Sequence, residues 1–322
     1  MDKNYGDGRG FENLACFRAS INLRHHLHEV RAGFKNGFNE IDYDTLLMAI
    51  VLIYGEKQLG ERARNRVVKS LEEGNDDLRS FSREWKGIRL SLWKAVDYLI
   101  NDLHVFDFQL LPSKNMLPLL ALFFYSNSNK RPNSLHRKQL SKWFWYASLS
   151  QRYSVTGYTK NILEDAVLFR RIGKTKKGRF SISEPISPYD ILNTRYGKRT
   201  IIETAYYCLL LRNNPLYIED GEPIPQTSYS VISNRKDKHH IFSYSLLKSK
   251  KVPTKRINSI CNICFIVSQE NQSFGKNKPS VYLADLKHKR FRSKVLKSHL
   301  IPTDLSSPLW EEHITRKSFN KF

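Results

Sequence analysis

The sequence predicts a mainly α-helical fold, in which a helical bundle precedes a smaller C-terminal unit that contains β-strands. From residue 12 to about residue 211, apolar residues recur at spacings of three and four, which places them along one face of a helix. Beyond Pro225 the pattern changes to short segments rich in β-branched residues. The helical spacing is clearest in one run: Trp85, Ile88, Leu92, Val96 and Leu99.

Breaks between helices are expected where turn-forming residues cluster. Such clusters lie at Glu72–Asp77, Asn127–Ser134, Gly173–Gly178 and Glu219–Gln226. With the main boundary at the last cluster, we expect an N-terminal helical region over residues 1–110, a helical scaffold over 111–225 and a third unit over 226–322. The apolar runs Leu46–Tyr54 and Met116–Tyr125 fall short of the roughly 18 residues that cross a bilayer, so they are expected to be core helices.

The third unit is expected to run in the order strand, loop, strand, helix. The segments Ser230–Ile241 and Ile260–Ser268 have strand-like composition. A polar, helix-like run covers about Asn277 to Leu286, and its Pro279 suits a first helical turn because proline there loses no needed N–H.

Charge is the outlying property of the composition. The net charge is +22, and residues 1–100 hold 16 Lys and Arg against 15 Asp and Glu, so nearly all of the excess lies in the last two-thirds of the chain. Such an excess favours a polyphosphate partner, because binding releases condensed counterions. An anionic membrane is the weaker alternative, since no basic amphipathic helix stands out.

Four cysteines are too few and too scattered for a disulfide framework, and no apolar signal-peptide core opens the chain. We therefore expect a cytoplasmic protein. Cys261 and Cys264 form a C-x-x-C pair without the second pair that a structural zinc site needs, and we interpret them as small core residues. The aromatic run at positions 143–146 is likewise expected to fill the core.

A constellation of histidines and asparagines carries the chemistry. His239 and His240 end the first expected strand, and Asn262 and Asn271 follow on the second strand and beyond it. In a strand–loop–strand–helix unit this spacing predicts that His239, His240 and Asn271 converge. A divalent-metal site for phosphodiester hydrolysis needs little more than ligands with open positions, a base and a group that orients the base.

The roles assigned to these residues follow that chemistry. His240 is the proposed base that activates water, and Asn262 is expected to orient its imidazole. His239 and the carbonyl oxygen of Asn271 are the proposed ligands of Mg²⁺ or Mn²⁺. Asp237, two residues before His239 on the same side of a strand, is a further candidate ligand, unless it caps or solvates the hairpin.

Basic runs flank this constellation and are candidates for holding phosphates on either side of the scissile bond. Taken one by one, such runs also occur as ordinary solvated faces. The residues singled out for binding nucleic acid are Lys250, Lys251, Lys276, Lys278, Lys287 and Arg290.

The constellation of His239, His240, Asn262 and Asn271 resembles the HNH, or ββα-metal, nuclease motif in its His-His plus Asn variant. The chain from about Leu110 onward is similar to the C-terminal portion of GmrSD-type restriction endonucleases, with further matching segments at Lys142–Ser154, Asn213–Ile224 and Lys297–Pro302. The resemblance implies a helical scaffold carrying a C-terminal ββα-metal (HNH) nuclease unit. It also implies a modification-dependent, metal-dependent DNA endonuclease that acts in defence against phage.

Two departures from that family bear on the prediction. Family members usually have proline where this chain has Ser243, which alters the stiffness of the loop after the histidines. We find no counterpart of the family's N-terminal ParB-like, nucleotide-hydrolysing domain and no P-loop string in the sequence. The chain is therefore expected to be a split subunit with a ParB-like NTPase encoded nearby as its partner, a shortened gene product, or a nuclease that takes its specificity from a partner. The alternative is a catalytically inactive subunit that binds nucleic acid or docks a partner.

Overall fold

The prediction of a mainly α fold is confirmed by the computed structural model. The structure describes residues 23–34, 37–54, 62, 65–67, 69, 77–154, 156–175, 178–181, 186–225, 238–266, 274 and 277–320. Eight helices that are described over their whole length precede the first strand: α1 Leu23–Ala32, α2 Tyr43–Tyr54, α3 Asp77–Leu103, α4 Met116–Ser126, α5 Ser134–Leu149, α6 Tyr158–Thr175, α7 Pro188–Asn193 and α8 Ile201–Arg212.

Helix α4 is the centre of the bundle. Its residues from Met116 to Phe124 are all buried, and it packs against α2, α3 and α6. A helix that is apolar on every face can be stable in water only when other helices cover it on all sides. The two apolar runs in the sequence, which became α2 and α4, are therefore core helices as expected, and helices before and after position 110 share one hydrophobic core.

The aromatic run in α5 fills this core, as predicted. Trp143 and Phe144 are fully buried, and the indole N–H of Trp143 donates to the hydroxyl of Tyr153 at 2.7 Å. The buried carboxylate of Asp165 accepts from Arg152 Nε at 3.0 Å. The buried carboxylate is thus paired with a guanidinium and hydrogen-bonded, as a charge inside a protein core requires.

The C-terminal unit contains two short strands and six short helices that are described over their whole length. The strands β1 Lys238–His240 and β2 Ile263–Phe265 pair antiparallel. The helices are α9 Tyr244–Ser249, α10 Thr254–Ile257, α11 Pro279–Tyr282, α12 Ala284–His288, α13 Arg292–Ser298 and α14 Arg316–Phe319.

This unit follows the expected order with three differences. The segment between the strands holds α9 and α10 where a loop was expected, and Ile260–Asn262 forms a 3₁₀ turn, so β2 begins at Ile263. The expected helix over 277–286 is divided into α11 and α12 at Leu283. Pro279 does occupy the first turn of α11, as predicted. The first expected strand is described only from Lys238 onward.

Strand β2 lies between two hydrophobic cores. Ile263 and Phe265 belong to the core of the helical bundle, whereas Cys264 belongs to a second core built mainly from residues beyond position 240. This division follows from the two-residue period of a strand, which sends successive side chains to opposite faces. Cys264 is thus a core residue as predicted, while Cys261 is half-buried.

None of the helices in the described ranges is both long enough and apolar enough to span a membrane.

His299, at the end of α13, forms a hydrogen bond with the segment that follows α8. Its imidazole is 1% exposed, and Nε2–H donates to the carbonyl oxygen of Leu216 at 2.8 Å. Burial disfavours the imidazolium form and lowers the pKa of His299 to about 4 from its ordinary 6.5.

The pH dependence of folding stability should carry the signature of His299. Below pH 6.5 the unfolded chain takes up a proton here that the folded protein excludes, so the free energy of unfolding decreases as the pH falls towards 4, by about 3 kcal/mol. Urea unfolding at a series of pH values measures this slope. His299→Gln should flatten the slope, whereas His313→Gln, at an exposed position, should leave it unchanged. Parallel curves for all three proteins would contradict the assignment.

Candidate functional site

The antiparallel pair of β1 and β2, called the hairpin below, places His239 and His240 on opposite faces. In its register His239 lies opposite Cys264, and His240 lies opposite Ile263. Directly opposed residues of an antiparallel pair project from the same face. His239 therefore shares the face of the second core with Cys264, and His240 shares the face of the bundle with Ile263.

His240 is half-buried against residues from two parts of the chain. Its Nε2 lies 3.1 Å from Oδ1 of Asn258, in the turn after α10. Its ring meets the ring of Tyr196, from the segment between α7 and α8, edge to face at 5.1 Å between centroids. Burial lowers the pKa of His240, and the hydrogen bond to Asn258 opposes that shift by favouring the protonated ring.

The contact with Asn258 fixes the tautomer of His240. An amide oxygen only accepts hydrogen bonds, so with this side-chain placement Nε2 carries the proton and donates it. Nδ1 of the neutral ring then keeps its lone pair. A neutral imidazole with one nitrogen anchored and the other available as an acceptor can act as a general base.

The group that orients His240 was not identified from the sequence. Asn262 was predicted for that role, but its amide oxygen accepts from the backbone N–H of Phe242 at 2.9 Å. Its amide nitrogen donates to the carbonyl oxygens of Phe242 at 3.1 Å and Ile257 at 2.9 Å. The hydrogen bond expected from Asn262 is made by Asn258, whose place beside His240 depends on the turn that Asn262 holds.

His239 does not meet His240 in one pocket, in contrast to the predicted convergence. Its imidazole is 8% exposed and packs against the rings of Phe274 and Tyr282, at 5.9 and 5.8 Å between centroids. The hydroxyl of Tyr282 donates to the carbonyl oxygen of Ile241 at 2.7 Å and so closes this aromatic pocket over the strand. The setting of His239 does not fit a ligand of an ion next to His240.

The oxygen donors of the proposed metal site, Asp237 and Asn271, lie outside the described residues, as does Lys276. Within the described ranges, no three His, Cys, Asp or Glu side chains are grouped as a metal site.

Most of the basic residues predicted to bind nucleic acid lie at the surface. Lys250 and Lys251 are exposed after α9, and Lys287 and Arg290 are exposed at and after the end of α12. Lys278 is half-buried, and its ammonium donates to the carbonyl oxygen of Glu312 at 2.8 Å. Four of these five cations are therefore directly accessible to a phosphate.

Ser243 caps the helix that follows the histidines. Its hydroxyl accepts from the backbone N–H of Leu246 at 3.4 Å, which satisfies one of the unpaired donors in the first turn of α9. The segment after the histidines is therefore fixed by a side-chain hydrogen bond.

A cleft of about 240 Å³ opens behind the hairpin. Tyr206 of α8 forms one wall, and its hydroxyl donates to the carbonyl oxygen of Ile263 at 2.9 Å. Arg256, Ser259, Cys261 and Asn262 also line it.

Comparisons with known proteins assign no family to the chain. No family model matches it, and no solved structure matches it. The uncharacterized protein MJ0686 of Methanocaldococcus jannaschii is 22% identical over 157 residues, which make up 46% of this chain. The aligned part is 25% of that protein, so the chain spans about a quarter of the relative's length.

Removing the Asn262 amide should destabilise the protein. Asn262→Ala deletes three hydrogen bonds and leaves buried backbone groups of Phe242 and Ile257 without them, which we expect to cost about 2–4 kcal/mol of unfolding free energy. Urea denaturation measures the loss. Asn213→Ala, at an exposed position, is the matched control and should change stability little. A similarly small loss for Asn262→Ala would show that these bonds are dispensable.

Proposed function

We propose that this chain is a divalent-metal-dependent DNA endonuclease in which His240 is the general base. The observation that carries the proposal is the setting of His240, which ends a hairpin strand with its imidazole held by Asn258 and Tyr196. The strong positive charge beyond residue 100 and the resemblance to the HNH motif point to a phosphodiester as the substrate.

The protonation state of His240 suits this role. Because burial lowers its pKa, the ring is neutral near pH 7, and Nδ1 can accept a proton from water. The Nε2–H bond to Asn258 keeps the ring in one orientation and one tautomer. Asn258 is thus a positioning residue, and His240 is the residue that meets the attacking water.

The proposed metal would be held by oxygen donors. Asp237 and Asn271 supply a carboxylate and an amide oxygen, which are the ligand types that Mg²⁺ prefers. When bound, the ion would offset the negative charge that grows on the phosphate in the transition state. His239 is not among the proposed ligands, because its imidazole packs against the rings of Phe274 and Tyr282.

Lysine and arginine side chains would position the DNA. Lys250, Lys251, Lys287 and Arg290 are exposed and carry no sequence-reading geometry of their own. Following the resemblance, we propose that specificity comes from a separate ParB-like NTPase subunit and that the complex restricts phage DNA in the cytoplasm.

Plasmid nicking tests the catalytic assignment. With Mg²⁺ or Mn²⁺ present, His240→Ala should lower the rate at least about 100-fold because the general base is lost, and Asn271→Ala should lower it by removing a ligand. EDTA should abolish nicking by the wild type. His28→Ala, at an exposed position on α1, should cut like the wild type.

Two results would contradict the proposal. Equal nicking by the wild type, His240→Ala and Asn271→Ala would eliminate the assigned site. Nicking that persists in EDTA would show that cleavage does not require a divalent metal ion.

The pH profile of nicking tests the role of Asn258 separately. The hydrogen bond to Asn258 raises the pKa of His240, so Asn258→Ala should move the acid limb of the rate profile to lower pH. The plateau rate should fall about 10-fold or more, because the ring loses its anchor. Asn213→Ala is the control. An unchanged midpoint and plateau would mean that Asn258 only packs against the ring.

A second candidate function is nucleic-acid binding without cleavage. The observation that favours it is the burial of His239 on the face of the hairpin opposite His240, which leaves the metal with fewer ligands than the motif suggests. This candidate predicts salt-sensitive DNA binding with no metal-dependent nicking. A related role, docking a partner subunit, predicts no DNA affinity for the isolated chain.

A further inference from the structure

The segment between α7 and α8 is docked beside His240 by backbone hydrogen bonds. The backbone N–H of Tyr196 donates to the carbonyl oxygen of Asn258 at 3.0 Å, and that of Ile260 donates to the carbonyl oxygen of Thr194 at 3.0 Å. Arg195 and Ser259 thus form an antiparallel bridge. The helical bundle therefore supplies part of the surroundings of the proposed base.

A buried carboxylate shapes the rest of this segment. Glu203 of α8 is 1% exposed and accepts from the backbone N–H groups of Gly197, Lys198 and Arg199. The hydroxyl of Tyr207 donates to the same carboxylate. Three successive N–H groups that point at one carboxylate fix the backbone over residues 197–199, where Gly197 and Arg199 both have positive φ.

This arrangement directs positive side chains outward. Arg195, Lys198 and Arg199 are exposed, and none of them forms an ion pair with another described residue. The carboxylate of Glu203 is buried, and it accepts hydrogen bonds from the three backbone N–H groups and from the Tyr207 hydroxyl rather than from these cationic side chains. Three cations with no ion pair among the described residues therefore lie within three positions of Tyr196, whose ring contacts that of His240.

We propose that residues 195–199, here called the basic loop, bind the phosphodiester backbone of DNA next to His240 through Arg195, Lys198 and Arg199. The choice of DNA as the ligand rests on the proposed function. A preorganised loop of this kind gives up little conformational entropy on binding and fixes the distance between the bound phosphate and the base. The sequence assigned DNA contacts only to the C-terminal unit, so the basic loop would extend the contact surface onto the helical bundle.

Fluorescence anisotropy with a labelled DNA duplex, measured in EDTA over a series of NaCl concentrations, tests the basic loop without cleavage. Lys198→Gln/Arg199→Gln should weaken binding about 10-fold and reduce the slope of log affinity against log salt by about 2, since two phosphate contacts are lost. Arg195→Gln should reduce the slope by about 1. The matched control is Lys130→Gln/Arg131→Gln, an exposed Lys-Arg pair after α4 that removes the same charge.

Glu203→Gln separates loop geometry from total charge. The substitution raises the net charge by one, so attraction by charge alone predicts equal or tighter binding. The basic loop predicts weaker binding, because the backbone at 197–199 loses its ionic anchor. Circular dichroism checks that this variant folds, and if it does not, the surface variants decide the question.

The outcomes for the basic loop and for the nuclease are distinct. Equal losses in the two Lys-Arg pairs, or no DNA binding by the wild type, would overturn the basic loop. Loop-dependent binding without Mg²⁺-dependent nicking would retain the loop and reject the nuclease. Mg²⁺-dependent nicking, combined with DNA binding that the loop variants do not change, would retain the nuclease and reject the basic loop.

Discussion

The amide of Asn262 ties together the two backbone segments on which the C-terminal unit is organised. Phe242 follows β1 and Ile257 ends α10, and the three hydrogen bonds of Asn262 hold them next to each other. At 1% exposure these bonds are shielded from water, which makes them hard to replace. The approach of Asn258, the residue after Ile257, to His240 depends on this junction.

The hairpin that follows from this junction is shared between two hydrophobic cores. Alternation along β2 sends Ile263 and Phe265 into the helical bundle and Cys264 into the second core. Two tyrosine hydroxyls, from Tyr206 on one side and Tyr282 on the other, hold backbone carbonyls of the same hairpin. A strand pair this short gains its stability from these contacts rather than from its own ladder.

The same alternation determines the chemistry available to each histidine. His240 faces the bundle, where it meets Tyr196 and Asn258 and remains half-buried, so its imidazole can exchange protons with solvent. His239 faces the second core and is enclosed by aromatic rings. Adjacent residues of one type thus differ in burial and in hydrogen-bond partners, because a strand places them on opposite faces.

Much of the helical fold of this protein can be predicted from the sequence alone. The apolar spacing predicted the helical bundle, the two apolar runs predicted α2 and α4 as core helices, the turn cluster at Asn127–Ser134 marked the break between α4 and α5, and Pro279 marked the start of α11. These features depend on neighbours within a few residues along the chain. Only the tertiary structure decided that Asn258 orients His240, that Asn262 binds backbone, and that Tyr196 and the basic loop lie beside the hairpin. Those contacts join residues many positions apart, and a short polar side chain reaches only the groups that folding brings within hydrogen-bond distance.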